Sequence, residues 1–413
     1  MVVKTPGKTR NKSIVKSSEK ISKKSNDKKV DGFSLRQILF IFRNSNLAKP
    51  PRNANFVLLT AIISVLCIIG AVMVLSASSV AAIANYGSAW FFFQRQVIWL
   101  ILGAVAFLVM SRIPYTFWQR MTKPIVFSSI FLLILVLIPG IGIEAYGSKR
   151  WLGFSSWRFQ PSEYAKIALV IFTADFLTRK KNLMGNFKQI IFPIVLTSSI
   201  FLFFVFIEPD YDSSVVLVMI VSSIMLMSGI PMNFLGKLAI PAVAILVITV
   251  FFQPYRIQRI LTFTDPFKDK SNTGYQIVQS LIALGSGKTT GVGLGAGKAK
   301  WLFLPNAHTD FIFSIIGEEL GLVGTLMVVG LFVAFILLGI KIVLSCDNRF
   351  AALMATGIIA WIGGQAIINL MAVIGLLPVS GITLPFVSFG GSSLLISLGA
   401  AGILANIARN SKA

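Results

Sequence analysis

The sequence has little acid and almost no sulfur or imidazole: 15 Asp and Glu against 38 Lys and Arg, two cysteines and one histidine in 413 residues. Cys67 lies in an apolar run and Cys346 in a short loop, so neither a disulfide framework nor a cysteine-based metal site is available. Charge is scarce altogether: 13% of residues are charged, where a soluble domain carries about 25%. Too few polar groups remain to cover a soluble core, which excludes a soluble enzyme. What is there instead is apolar, 55% of the residues, gathered into long unbroken runs that also exclude a disordered protein. Unbroken runs differ from the alternation of a transmembrane barrel and point to membrane-crossing helices.

The surplus of base is unevenly spread. Residues 1–54 hold 14 Lys and Arg against Glu19, Asp27 and Asp31, with no run long enough to span. This reads as a disordered basic tail that meets anionic membrane lipids, with no nucleic acid as partner. Leu35, Ile38, Leu39 and Phe42 follow helical spacing and predict a short interfacial helix. Ten spans are expected, near 56–77, 93–110, 124–140, 162–178, 189–207, 213–230, 237–254, 310–341, 350–373 and 387–408. The predicted fold class is an all-α polytopic membrane protein of about ten transmembrane helices, with a large extracytoplasmic loop between helices 7 and 8. Residues 1–54 form the tail, 55–408 the membrane domain and 409–413 a short cytoplasmic C-terminus. With the tail inside, the short inner loops carry Arg112, Arg120, Lys123, Arg179, Lys180, Lys181, Lys188, Lys237, Lys341 and Arg349. The short outer loops carry only Arg95, Lys149, Arg150 and Arg158, so both termini are expected in the cytoplasm.

Most acids outside the tail fall in or beside the outer regions 141–166, 208–214 and 255–310, and a substrate site is expected there. Pro161 after Gln160 is a good helix start, and Glu163 in that first turn suits the positive end of the dipole. Lys166 follows at i+3: either an ion pair at a helix end or, with Arg150, a cationic pocket for a phosphate-bearing ligand. Glu208, Asp210 and Asp212 crowd three carboxylates into five residues. They need an answering cation, a divalent metal, or solvent, with Asp212 as N-cap of the next helix.

Gly287-Lys288-Thr289 resembles a phosphate loop, but Ile282 stands where the pattern needs its first glycine. Gly291, Gly293, Gly295 and Gly297 match no dinucleotide fingerprint and mark a flexible or tightly turning segment. Residues 275–284 predict an amphipathic surface helix, with Ile277, Val278, Leu281 and Ile282 on one side and Gln276, Gln279 and Ser280 on the other. His308 precedes Thr309, a predicted N-cap that would put Asp310 in the first helical turn. His308 with Asp310 makes a general-base constellation; Glu318 and Glu319 further along make a polar lock between helices. Pro378, Pro385, Gly390 and Gly391 break the helix, and such backbone must be buried or line a cavity, closing the same outer pocket.

These motifs together resemble the SEDS family (shape, elongation, division and sporulation), the FtsW/RodA/SpoVE group of peptidoglycan glycosyltransferases. The resemblance runs from about residue 55 to 408. It rests on Ser148-Lys149-Arg150-Trp151, Gln160-Pro161-Ser162-Glu163, Pro209-Asp210, Tyr275-Gln276, Ala307 through Phe313, Gly317 through Gly321, and Gly375 through Ser393. The Gly317-Glu-Glu-Leu-Gly and Gly390-Gly-Ser-Ser segments look more like the cell-division branch than the elongation branch. Glu208 and Asp212 depart from the family's usual Gln and Gly. The resemblance implies polymerisation of lipid II into glycan strands at the outer membrane face, with release of undecaprenyl diphosphate. It implies Asp310 as the catalytic base, and Arg150, Lys166, Gln160, Glu163, Asp210, Gln276, His308, Glu318, Glu319 and Ser392 as substrate-binding residues. It further implies a class B penicillin-binding transpeptidase and other divisome membrane proteins as partners, at the division septum of a bacterial inner membrane, with a divalent cation such as Mg²⁺ as the one cofactor to consider. The alternatives are a lipid II flippase, for which Asp175, Gln365 and Asn369 are the only polar candidates deeper in the spans, an elongation-type polymerase, and a non-catalytic scaffold.

Overall fold

The computed structural model describes residues 53–145, 148–154, 157–183, 187–232, 274–301 and 303–411. The chain divides into two units, residues 1–50 and 51–413, and the second is described here. The basic tail, its expected interfacial helix and the expected seventh span at 237–254 lie outside the described residues.

The described chain runs α1 (Ala54–Tyr86), α2 (Phe91–Arg112), α3 (Tyr115–Arg120), α4 (Thr122–Leu137), β1 (Ile143–Ala145), β2 (Ser148–Phe154), β3 (Trp157–Phe159), α5 (Pro161–Arg179), α6 (Phe187–Ile207), α7 (Tyr211–Met227), α8 (Tyr275–Ser286), α9 (Ile312–Leu344), α10 (Arg349–Val373) and α11 (Gly391–Asn410). Six of these, α1, α2, α6, α9, α10 and α11, are long and apolar enough to cross a membrane. The α4 and α7 helices are apolar but shorter. The α5 helix has 19 residues and carries Glu163, Lys166, Asp175 and Arg179. Boundaries differ from the hydropathy estimate where caps decide them. The first helix runs on to Tyr86, where Gly87 in the left-handed region (φ 72°) returns its N–H to Ile83. The last begins at Gly391, leaving 387–390 in the irregular connection before it.

The loop after α4 folds into a small antiparallel sheet ordered β1-β2-β3, a β element that hydropathy did not foresee. Glu144 pairs with Lys149, and Gly153 with Arg158. Arg150 thereby sits on a strand held against the bundle rather than on a loose loop. This sheet lies where α4 ends and α5 begins, and marks what is called here the sheet end of the bundle.

Small residues set the tightest packing. A Cβ on Gly402 of α11 would lie 2.5 Å from the Phe107 carbonyl oxygen of α2, so the two helices approach backbone to backbone. Asn53 caps α1 by accepting from Asn55 N–H, and its amide donates to the carbonyls of Ala408 and Ser411, tying the start of α1 to the end of α11. The wide apolar faces left exposed, such as Val323, Leu326 and Leu337 on α9, are those of a helix meeting lipid.

Candidate functional site

Between α10 and α11 the chain runs without helix through residues 374–390, exposed at its start and largely buried over 382–388. Its backbone groups need partners, and α7, α10 and the turn before α9 supply them. Gly381 N–H donates to Asp212 Oδ2 (3.0 Å). The Ile382 carbonyl accepts from Asn369 (2.7 Å) and that of Thr383 from Gln365 (3.1 Å). Ser388 Oγ accepts from Leu384 N–H and donates to the Thr309 carbonyl; Phe389 N–H donates to that of His308. This strap therefore closes the sheet end, as broken helix at membrane depth requires.

Three groups of expected site residues meet along it. In the first, Asp210 caps α7 by accepting from Ser213 N–H, and its Oδ2 also accepts from Gln160 Nε2 and Ser162 Oγ, each at 2.8 Å. The cap is thus Asp210, not the expected Asp212, which lies in the first turn of α7 and holds the strap. Arg150 donates from Nε to the Glu208 carbonyl (3.0 Å) and from a terminal nitrogen to that of Pro209, with the Asp210 carboxylate 4.0 Å away. Ser392 accepts from Gln160 N–H, joining α11 to this group. Glu208 itself is 1% exposed with both carboxyl oxygens unpartnered. Burial, with Asp210 beside it, pushes its carboxyl from 4.5 to about 9 against the pull of Arg150. Glu208 is therefore protonated at neutral pH, and the crowding of three carboxylates is relieved by neutralising one of them.

In the second group Lys166 Nζ donates to Glu163 Oε1 (2.7 Å) and to Gln365 Oε1 (3.3 Å), under the Trp361 ring. Lys166 is 2% exposed, so this is a sealed ion pair, far from the solvated helix-end pair that its spacing suggests. Among the described contacts Lys166 and Arg150 share no partner. The cationic pocket expected from the two together is divided between separate groups.

The third group is the turn 306–311. The α9 helix starts at Ile312 with Phe311 as an N-cap lacking a side-chain bond. Thr309 is not the cap; its hydroxyl donates to the Asn306 carbonyl. Asp310 thus precedes the helix, half-buried, its carbonyl accepting from Asn369 (2.8 Å). His308 packs between Phe92 and Phe389, at ring centroid distances of 4.5 and 5.7 Å. Burial lowers its pKa to about 4, so it is neutral at physiological pH.

Glu318 and Glu319 do something else. Glu318 accepts from the N–H groups of Lys298 and Ala299; Glu319 accepts from Lys300 Nζ (2.8 Å), Ser76 Oγ and Gly295 N–H. Together they clamp the glycine-rich loop 287–300, and through Ser76 Glu319 also locks α9 to α1 as expected. Gly321 (φ 66°) breaks α9 just after them. The freed Glu318 and Glu319 carbonyls accept from Val292 and Gly293, and Leu322 and Val323 donate back to Lys288 and Thr289. A Cβ on Gly321 would lie 2.3 Å from Gly291 N, so this crossing requires glycine. Gln276 is half-buried on α8, away from these groups' described contacts. That helix turns differently from its expected face: Ser280 is buried, bonded to Ser314 and the Val373 carbonyl, and Ile282 is 55% exposed.

Sequence reasoning missed Lys300, Ser76 and Ser388, and gave Gln365 and Asn369 to a transport path. Two polar residues one turn apart in an apolar helix were the available signal for the latter pair. Among the described residues no three His, Cys, Asp or Glu side chains converge to hold a metal ion.

A family model described as a cell cycle protein, the FtsW/RodA/SpoVE model, matches residues 56–413. The chain belongs to this family. It is 38% identical over 358 residues to a probable peptidoglycan glycosyltransferase FtsW of Geobacter metallireducens, covering 87% of this chain and 95% of that one. It is 38% identical to the stage V sporulation protein E of Bacillus subtilis, covering 86% and 97%. Among solved structures it superposes on a chain of a peptidoglycan synthase complex that coordinates polymerization and crosslinking, with TM-score 0.70, 26% identity and coverage of 86% and 97%. The rod shape determining protein RodA of Thermus thermophilus shares the fold, with TM-score 0.61 at 23% identity over 86% and 96%. Membership and the apolar helices together make the chain a multi-pass membrane protein of the FtsW/RodA/SpoVE type.

Proposed function

We propose that the chain is a peptidoglycan glycosyltransferase of the cell-division branch, polymerising lipid II at the outer face of the bacterial plasma membrane. The observation that carries this reading is that the strap holds the Asp310 turn directly, the Glu163–Lys166 pair through Gln365 and the start of α7, beside the Arg150–Asp210–Gln160 group, through Asp212, in a chain whose relatives are named as probable enzymes of this activity. The acceptor sugar's 4-hydroxyl attacks the anomeric carbon of the growing strand. The bond to diphosphate breaks, and undecaprenyl diphosphate leaves with the electron pair. Asp310 takes the hydroxyl proton as the new bond forms. His308, neutral and packed against aromatic rings, orients the turn and does not supply charge. Arg150 is the more exposed of the two expected cations, with 29% of its side chain accessible, and answers the developing negative charge at the sheet end. Lys166 lends positive charge from within its ion pair. A magnesium-type ion would draw on one carboxylate and the substrate's own diphosphate oxygens; none of these steps depends on it.

The basic inner loops support cytoplasmic termini, with the strap on the outer side. A class B transpeptidase partner at the septum is supported by the likeness to a synthase complex that joins polymerisation to crosslinking. Against the flippase reading, the polar residues expected along its path are engaged within the described fold: Asp175 accepts from Arg179 and Gln119, and Gln365 and Asn369 hold the strap. The test is purified full-length chain in liposomes with lipid II and the transpeptidase. Glycan polymer is the expected product. Lipid II translocation without polymer would establish the flippase instead, and neither would leave a scaffold.

A further inference from the structure

We propose that Asn369 is a positioning residue for Asp310, acting through the backbone that carries it. The proposal rests on the reading of Asp310 as the base. Three consecutive carbonyls of the Asp310 turn are held by three separate donors: His308 by Phe389 N–H (3.0 Å), Thr309 by Ser388 Oγ (2.6 Å) and Asp310 by Asn369 Nδ2 (2.8 Å). The first two donors belong to the strap; the third comes from α10. Asn369 spends its other amide hydrogen on the Ile382 carbonyl (2.7 Å), in the middle of the same strap. One side chain thus ties the Asp310 turn and the strap to a spanning helix.

The rest of its environment supports this role. Asn369 is 1% exposed, and its Oδ1 is left without a hydrogen-bond partner. A buried acceptor left unpaired is costly, so the residue is retained for its two donor bonds and not for an all-round polar fit. One turn earlier on α10, Gln365 donates to Thr383 and accepts from Lys166 and Trp361 Nε1. The strap is therefore pinned at adjacent residues, 382 by Asn369 and 383 by Gln365, and only the Asn369 bond continues to the reacting aspartate. A base must sit within hydrogen-bond reach of the proton it takes, and a shift of about 1 Å in its backbone is costly to rate while leaving remote binding contacts intact.

The experiment uses the full chain with its transpeptidase and lipid II. Asn369→Leu keeps the volume and removes both donors. The expected result is kcat lowered about tenfold or more per folded protein, with KM for lipid II within about threefold and a thermal midpoint lowered by several degrees, because two carbonyls lose their donor. A kcat at the wild-type level, or a loss confined to KM, overturns the proposal. Should Asn369→Leu insert poorly, Ser388→Ala removes the neighbouring bond to Thr309 and is expected to lower kcat in the same way, more mildly; unchanged kcat there overturns it equally. The two readings fail differently. If Asp310→Asn is as fast as wild type, the base is elsewhere and this proposal falls with it; if Asp310→Asn is dead while both positioning variants are normal, only the positioning role is lost.

Discussion

Two acidic sites, the buried Glu318–Glu319 pair and the half-buried Asp310, are built to opposite rules. Around Glu318 and Glu319 all four carboxylate oxygens accept from the protein, and Lys300 makes three bonds of its own, to Glu319, Ser76 and the Gly295 carbonyl. Around Asp310 it is the main chain that is fastened, carbonyl by carbonyl, while the carboxylate-bearing residue stays half-buried. The sealed, fully partnered acids build structure, whereas an acid fixed through its backbone at a half-open place suits the proposed role of base. The Glu163–Lys166 pair is sealed too, with Glu163 Oε2 unpartnered.

The largest effect that separates the two sites is on stability. Lys300→Met leaves Glu319 buried without its cation, and breaking a buried pair costs about 3 kcal/mol or more. A drop of several degrees in thermal midpoint is expected, with turnover per folded protein reduced far less. A variant as stable as wild type would break the comparison. Next comes Arg150→Lys. An ammonium cannot bridge the Glu208 and Pro209 carbonyls and still face Asp210, so turnover should fall about tenfold. An unchanged rate in lipid II polymerisation would reduce Arg150 to a point charge.

The remaining effect depends on pH and grows as pH rises. Glu208 is protonated in the fold up to about 9, against an ordinary 4.5. Between those values the folded protein holds a proton that the unfolded chain has lost, so this group makes stability fall as pH rises. Glu208→Gln mimics the protonated form and removes that slope. Thermal midpoints of the two proteins should be close at the acid end of this window and diverge toward pH 9, with the variant the more stable. Parallel curves would mean that Glu208 is ionised in the fold.

How far the sequence could be read follows from the range of each interaction. Membrane helices are written as continuous apolar runs, and nine of the ten expected spans have a described helix in their place. The turn chemistry was half legible: Pro161 opens α5 as its position predicts, yet Asp210 and not Asp212 caps α7. Strands of three residues, such as β1 and β3, are too short to leave a pattern. The break at Gly321 is invisible to hydropathy, because it depends on Gly291 crossing at that point. Ser76 and Glu319 meet across 243 residues of sequence, and no local spacing announces such a pair. Glu208 was noticed as an unusual acid, but only its burial shows that it is neutral.

The most direct measurement is the rate of lipid II polymerisation by Asp310→Asn, per folded protein and in complex with the transpeptidase. Asparagine keeps the side-chain shape and leaves the carbonyl that Asn369 holds, but it cannot take a proton. The account predicts a variant that inserts, binds lipid II and its partner, and polymerises at least about 10²-fold more slowly. Polymerisation near the wild-type rate would contradict it and move the base away from the turn that the strap holds in place.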